Sequence, residues 1–127
     1  MLKSEDKTPR VLLVEDTPFI RHAFGRLLRA HGFDVCEAND GREALDCIAD
    51  FHPQLILTDL MMPVMSGIEL IRALRSDPKT ADLPVVAFTA DPTEHAEREA
   101  RQAGAADYFT KPVDLASFVK RLRLLGT

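Results

Sequence analysis

Leu55-Ile56-Leu57-Thr58-Asp59-Leu60-Met61-Met62-Pro63-Val64-Met65-Ser66-Gly67-Ile68-Glu69 is the stretch whose reading decides the fold. Gln54 to Thr58 reads as a strand, a short apolar run bounded by Pro53 that ends in Thr58-Asp59. Ser66-Gly67-Ile68-Glu69 has the form of a capping box, so a helix opens a few residues later. The same arrangement recurs: Val11 to Val14 run into Glu15-Asp16, Val85 to Phe88 into Thr89, and Tyr108-Phe109 into Thr110-Lys111. If these runs are neighbouring parallel strands, the carboxylates of Glu15, Asp16 and Asp59, a hydroxyl and an ammonium converge at one sheet edge. Ligand sites of open α/β sheets lie at that carboxyl edge, where the strand order reverses.

Between the runs lie amphipathic segments with their own start and stop chemistry. Thr17 caps a first helix with Pro18 at its first position, and Phe19, Ile20, Ala23, Phe24, Leu27 and Leu28 form its stripe up to Gly32. Phe33 to Ala38 reads as the second strand. Asp40 with Glu43 caps the next helix, Ala44, Leu45, Ile48 and Ala49 make its buried face, and Pro53 ends the region. In the third helix Ile68, Ile71 and Leu74 face inward and Asp77-Pro78 stops it, leaving Lys79 to Pro84 as a surface loop. Asp91-Pro92-Thr93-Glu94 starts a fourth helix whose apolar side is only Ala96, Ala100 and Ala103, with Glu94/Arg98 and Glu97/Arg101 at helix-pair spacing. Asp114 caps the last helix, with Leu115, Phe118, Val119 and Leu122 inward and Lys120, Arg121 and Arg123 suiting its dipole.

Strict βα alternation with right-handed crossovers predicts a flavodoxin-like doubly wound (βα)5 fold: a five-stranded parallel sheet in the order 2-1-3-4-5, with helices on both faces. Asp16 and Asp59 then stand at the switch point. The first turn, Glu15-Asp16-Thr17-Pro18, has no glycine, which argues against a phosphate-cradling or dinucleotide loop and favours a cation there.

A chain of 127 residues fits one domain, and 46% apolar with 28% charged residues is the balance of a globular protein. No apolar stretch approaches the roughly 20 residues of a membrane span, and Met1 to Lys7 has no signal-peptide core, so no membrane insertion and a cytoplasmic location are expected. Sixteen basic against twenty acidic residues, net −4 with a pI near 5.5, leave no field for direct nucleic-acid binding. Cys36 and Cys47 lack metal or redox spacing and read as buried, reduced thiols, and His22, His31, His52 and His95 as surface or cap residues. The methionines near Asp59 read as packing.

On these motifs the chain resembles the receiver domains of two-component response regulators, the CheY-like family, over about Arg10 to Leu125, with residues 1–9 as a polar lead-in. Glu15-Asp16 matches the family's acidic pair, Asp59 to Gly67 its DxxMPxMxG segment, Thr89-Ala90 and Lys111-Pro112 the remaining motifs, and Tyr108 the switch aromatic. The resemblance implies that Asp59 accepts a phosphoryl group. It further implies that Asp16, Asp59 and the backbone carbonyl of Met61 hold Mg²⁺ with Glu15 in support, while Thr89 and Lys111 contact the phosphoryl oxygens. A carboxylate can form an acyl phosphate, and a hard divalent ion prefers oxygen ligands. Thr89 and Tyr108 are then expected to switch the surface of the fourth helix, fifth strand and fifth helix. Val113 stands where many members of that family carry an aromatic residue after the Lys-Pro pair, and the resemblance implies that Met61 and Asp91 occupy positions that tune dephosphorylation in the family.

The implied phosphoryl donor is a sensor histidine kinase or a histidine phosphotransfer protein, the output partner is unidentified, and the chain is a monomer or a dimer through that same face. The chemistry the resemblance implies is Mg²⁺-dependent self-phosphorylation and autodephosphorylation at Asp59, with no separate substrate turnover expected. Only one helix is expected after Lys111-Pro112, so no output module is expected; Met1 favours a natural start, and the chain is either a stand-alone receiver or cut from a longer protein. The alternative is a phosphorylation-independent receiver-like scaffold, which could dispense with Asp59 or Lys111. An aspartyl-phosphate hydrolase would carry an acidic residue where Met61 stands, and a flavin-binding protein is disfavoured by the acidic first turn.

Overall fold

A computed structural model describes residues 8–62, 64–111 and 114–125, excluding the side chain of Leu115. The elements are β1 (Arg10–Val14), α1 (Pro18–Ala30), β2 (Asp34–Ala38), α2 (Gly41–Phe51), β3 (Leu55–Asp59), α3 (Gly67–Ser76), β4 (Val85–Thr89), α4 (Glu94–Ala103), β5 (Asp107–Thr110) and α5 (Leu115–Leu125). The five strands form one parallel sheet in the order β2-β1-β3-β4-β5, as the alternation predicts. Every residue of β3 and β4 is buried, which fits central strands covered on both faces.

Register places the strand-end residues together. Val14 stands beside Thr58, so Glu15 follows level with Asp59; Asp59 stands beside Phe88, and Thr89 beside Thr110. Because alternate residues face opposite sides, each strand feeds two cores. Leu12, Val14, Ile56 and Ala87 meet Leu70, Ile71 and Leu74 of α3 and Ala100 of α4. Val11, Leu13, Leu57 and Phe88 meet Leu28 of α1 and Phe118 and Leu122 of α5. In the second core Phe24 stacks on Phe118 at 5.2 Å between ring centroids and meets Phe88 edge-on at 5.4 Å. Phe88 and Phe118 are fully buried, and burying such a ring contributes about 1.5–3 kcal/mol of transfer free energy, while Phe24 is half-buried beside them.

Several helix starts follow the sequence. Asp40 accepts the Glu43 N–H at 2.9 Å, and Ser66 with Glu69 forms the reciprocal capping box. Thr93 accepts the Ala96 N–H at 3.2 Å and Asp114 the Ser117 N–H at 3.3 Å. Ala96 and Ala100 are the buried residues of α4 and Ala103 is half-buried. Of the two helix-spaced pairs, Glu97 and Arg101 close to 2.9 Å.

Other expectations are corrected. Thr17 makes no side-chain cap to α1. The stripe of α1 is rotated: Phe19 is 83% exposed, and Ile20, Ala23 and Leu27 also face solvent. The inward arc is Arg21, Phe24, Gly25 and Leu28, because Arg21 finds polar partners there and Gly25 leaves room for Glu37 of β2. Ala49 is exposed rather than inward, and α2 ends at His52 in a left-handed conformation (φ 53°) before Pro53. Lys79 to Pro84 is not simply a surface loop. Thr80 is buried with its hydroxyl donating to Leu74 O at 2.7 Å, and the Arg75 guanidinium donates to Ala81 O, Leu83 O and Gly104 O. Cys36 and Cys47 are free but only half-buried. Met61 is 69% exposed, whereas Met62 and Met65 pack on the core. The readings placed on Pro63, Pro112, Val113, residues 1–7 and the Leu115 side chain lie outside the described residues.

Candidate functional site

The carboxyl edge at the β1/β3 switch point brings Glu15, Asp16, Asp59 and Lys111 together. Glu15 and Asp59 are buried and Asp16 half-buried. One carboxylate oxygen from each of the three lies within 4.8 Å of the others. Lys111, carried past the end of β5, puts Nζ 3.0 Å from Asp59 Oδ2 and 3.2 Å from Glu15 Oε1. Its ammonium also sits 5.0 Å from the Phe88 ring centroid, so the apolar core forms its floor.

The backbone fixes the carboxylates. Met61 N–H donates to Asp59 Oδ1 at 3.0 Å, so one oxygen is held by the turn while the other faces Lys111. Thr17 N–H donates to Glu15 Oε2 at 3.1 Å, and Glu15 N–H to Ala38 O at 3.1 Å. The Gly67 N–H closes the loop back onto Leu60 O at 3.0 Å.

The electrostatics leave a surplus of negative charge. Burial lifts the Glu15 carboxyl above its ordinary range; the Asp59 charge adds to the lift, and the Thr17 N–H and Lys111 only partly offset it. Burial alone would lower the Lys111 ammonium, but hydrogen bonds and charge from Asp59 and Glu15 outweigh it, so its pKa stands above the ordinary lysine value. At neutral pH one ammonium therefore serves a cluster of three carboxyl groups. Hard oxygen donors around a net negative site suit a small divalent cation.

Thr89 and Tyr108 lie beside this cluster without joining it. Thr89 is fully buried; its hydroxyl accepts the Asp91 N–H at 3.3 Å, and its carbonyl accepts the Lys111 backbone N–H at 2.8 Å. The Tyr108 hydroxyl donates to Asp91 O at 2.8 Å, and burial, followed by the charges of Asp91 and Glu97, holds its pKa above the ordinary phenol value. The Asp91 backbone thus contacts both side chains, its N–H meeting Thr89 and its carbonyl Tyr108. A cleft of about 340 Å³ opens between α3 and α4 next to Thr89 and Met61.

Sequence reasoning missed Arg21, whose guanidinium touches the acidic turn, and its partners Asn39 and Glu37. His22, read as a surface or cap residue, is exposed and places Nδ1 2.7 Å from Glu37 Oε1. No motif marks any of them, since a lone arginine on a helix is ordinarily solvated.

A 2-1-3-4-5 parallel sheet with an acidic, lysine-bridged switch point defines a doubly wound α/β domain whose cluster of Glu15, Asp16 and Asp59 could hold a cation. Within that class the chain belongs to the response-regulator receiver domain family, whose family model matches residues 11–123. It is 34% identical over 116 residues to the polar-differentiation response regulator DivK of Brucella ovis, covering 91% of this chain and 94% of that one. It is 40% identical to the response regulator MprA of Mycolicibacterium vanbaalenii, over 91% of this chain and 49% of that protein. Among solved structures, Vibrio cholerae chemotaxis protein CheY4 superimposes with a TM-score of 0.86 at 30% identity, covering 93% of this chain and 98% of that one. No described helix is long and apolar enough to cross a membrane.

Proposed function

We propose that the chain is a phosphoryl-accepting switch of a two-component or phosphorelay pathway, with residues 10–125 acting as one receiver unit and Asp59 as the acceptor. The observation that carries this reading is Lys111 Nζ bridging Asp59 Oδ2 at 3.0 Å and Glu15 Oε1 at 3.2 Å in a largely desolvated acidic site. An Asp59 carboxylate oxygen attacks the phosphorus of a phosphohistidine on a sensor histidine kinase or histidine phosphotransfer protein. The P–O bond forms as the P–N bond breaks, and the imidazole nitrogen leaves with the electron pair. Met61 N–H restrains the other oxygen, which limits the approaches the nucleophile can take.

Mg²⁺ would be held by Asp16, Asp59 and the backbone carbonyl of Met61, with Glu15 in support; when bound, the ion neutralises charge on the phosphoryl oxygens. Lys111 exchanges its contact with Asp59 for one to the phosphoryl group, and Thr89 supplies a hydroxyl donor to it. When the Thr89 hydroxyl turns toward that group it releases the Asp91 N–H, and the Asp91 carbonyl is the partner of Tyr108. Phosphorylation then biases the α4, β5 and α5 face between two states, with α4 seated on alanines alone. An output protein, or a second copy of the chain, reads that face; the protein works in the cytoplasm.

The test is intact-mass analysis after incubation with acetyl phosphate, for wild type and Asp59→Asn, with Mg²⁺ and with chelator. A single phosphoryl adduct that requires both Mg²⁺ and Asp59 is expected. An adduct of equal yield on Asp59→Asn, or no adduct together with no Mg²⁺ binding, overturns the reading.

A further inference from the structure

We infer that Arg21 of α1 is a positioning residue for the metal-facing carboxylate Asp16, acting through the backbone of the acidic turn. Its guanidinium is largely buried, at 13% side-chain exposure, an unusual place for an arginine unless its donors are used. NH1 donates to the Glu15 carbonyl at 2.9 Å and to Asn39 Oδ1 at 3.2 Å, and Nε lies 3.4 Å from Glu37 Oε1. One side chain thus ties the peptide that leads into Asp16 to the β2–α2 connection and to the outer strand of the sheet.

The anchor is itself anchored. Glu37 receives Arg29 NH1 at 3.0 Å and His22 Nδ1 at 2.7 Å as well as Arg21, so its carboxylate is fixed from several sides. Gly25 makes the arrangement possible, because a Cβ there would stand 2.7 Å from Glu37 Oε2. Glu15 is meanwhile held at its N–H by Ala38 O and at its carboxylate by the Thr17 N–H and Lys111. Arg21 completes the set by fixing the Glu15 carbonyl, the last backbone group before Asp16. Partners that orient a metal ligand without touching the ion are typically worth about 10–100-fold in metal affinity.

The inference rests on the proposed Mg²⁺ site, and the direction of the effect separates it from simpler roles. A cation beside three carboxyl groups repels an incoming Mg²⁺, so if Arg21 acted only as a charge, its removal would tighten binding. If it served only the packing of α1, its removal would lower stability and leave the affinity of the folded protein unchanged. A positioning role requires weaker binding.

The experiment is a Mg²⁺ titration of the full chain followed by ¹H–¹⁵N NMR, on wild type, Arg21→Ala, Arg21→Gln, Arg29→Ala and Asp16→Asn. Arg21→Gln stays polar but ends two bonds short of the NH1 position that contacts the Glu15 carbonyl, and it carries the test if the alanine variant does not fold. Expected is a Kd raised about tenfold by either Arg21 substitution and by less than about twofold in Arg29→Ala, which contacts Glu37 but not the acidic turn. An unchanged or lowered Kd in the folded Arg21 variants overturns the inference, provided Asp16→Asn weakens binding. If Asp16→Asn binds Mg²⁺ as wild type does, it is the site reading that fails.

Discussion

Replacing Gly67 by alanine sets helix propensity against a backbone collision. Gly67 is the first residue of α3, buried under the loop that leaves Asp59. A Cβ there would lie 2.4 Å from Asp59 O, 2.7 Å from Leu60 Cα and 3.0 Å from Leu60 Cδ2. Non-bonded heavy atoms need about 3.5 Å, so α3 or the Asp59 backbone must give way by about 1 Å. Alanine would favour the helix by up to about 1 kcal/mol, while overpacking costs about 1–3 kcal/mol or more, at the upper end here because two of the obstacles are main chain. The expected net destabilisation is about 2 kcal/mol. Gly41→Ala is the internal control: its Cβ would meet Met65 Sδ at 2.8 Å and Cγ at 2.9 Å, a flexible side chain that can move aside. Urea unfolding followed by circular dichroism reads both, and with a slope of about 1–3 kcal/mol per M the Gly67→Ala midpoint falls by about 1 M. Gly41→Ala should lose less than half as much. A Gly67→Ala midpoint at or above that of Gly41→Ala refutes the collision.

The rotated face of α1 makes Leu28→Ala cost about 2–5 kcal/mol by urea unfolding and Phe19→Ala less than about 0.5 kcal/mol; the reverse order contradicts the packing. Phe118→Ala, which empties the centre of the aromatic cluster, should cost about 3–5 kcal/mol in the same assay, and a loss below about 1 kcal/mol would show that the cluster adds little. Burial, helped by the neighbouring Cys47 thiol, pushes the Cys36 thiol from 9.0 up to about 11. Carbamidomethylation at Cys36, followed by peptide mass spectrometry on the folded protein, should keep accelerating toward pH 11, and a plateau near pH 9 contradicts the raised pKa. Because the raised value belongs to the folded state, its contribution to stability is whole below pH 9 and is lost as pH rises through about 11.

Much of the frame is written locally. Ser66 and Glu69 cap α3, Asp40 caps α2, and the all-buried runs at Leu55–Asp59 and Val85–Thr89 can only be central strands. Once those strands are parallel neighbours, the convergence of Glu15, Asp16, Asp59 and Lys111 follows from register alone. The inward arc of α1 was not legible, because Phe19, Ile20, Ala23 and Leu27 form as good a stripe as Phe24 and Leu28. The choice between them depends on Gly25 admitting Glu37 and on Arg21 finding acceptors, both long-range facts. The tucked loop before β4 was hidden for the same reason: Arg75 reaches carbonyls at Ala81, Leu83 and Gly104 that no local pattern announces.

The central claim, that Asp59 carries the phosphoryl group, is tested most directly by trapping the acyl phosphate. Protein phosphorylated by acetyl phosphate with Mg²⁺ is reduced with borohydride, which converts an aspartyl phosphate to homoserine, then digested and sequenced by tandem mass spectrometry. Homoserine at position 59, and at no other aspartate, is the expected result. Homoserine at Asp16 or elsewhere with position 59 unmodified contradicts the account.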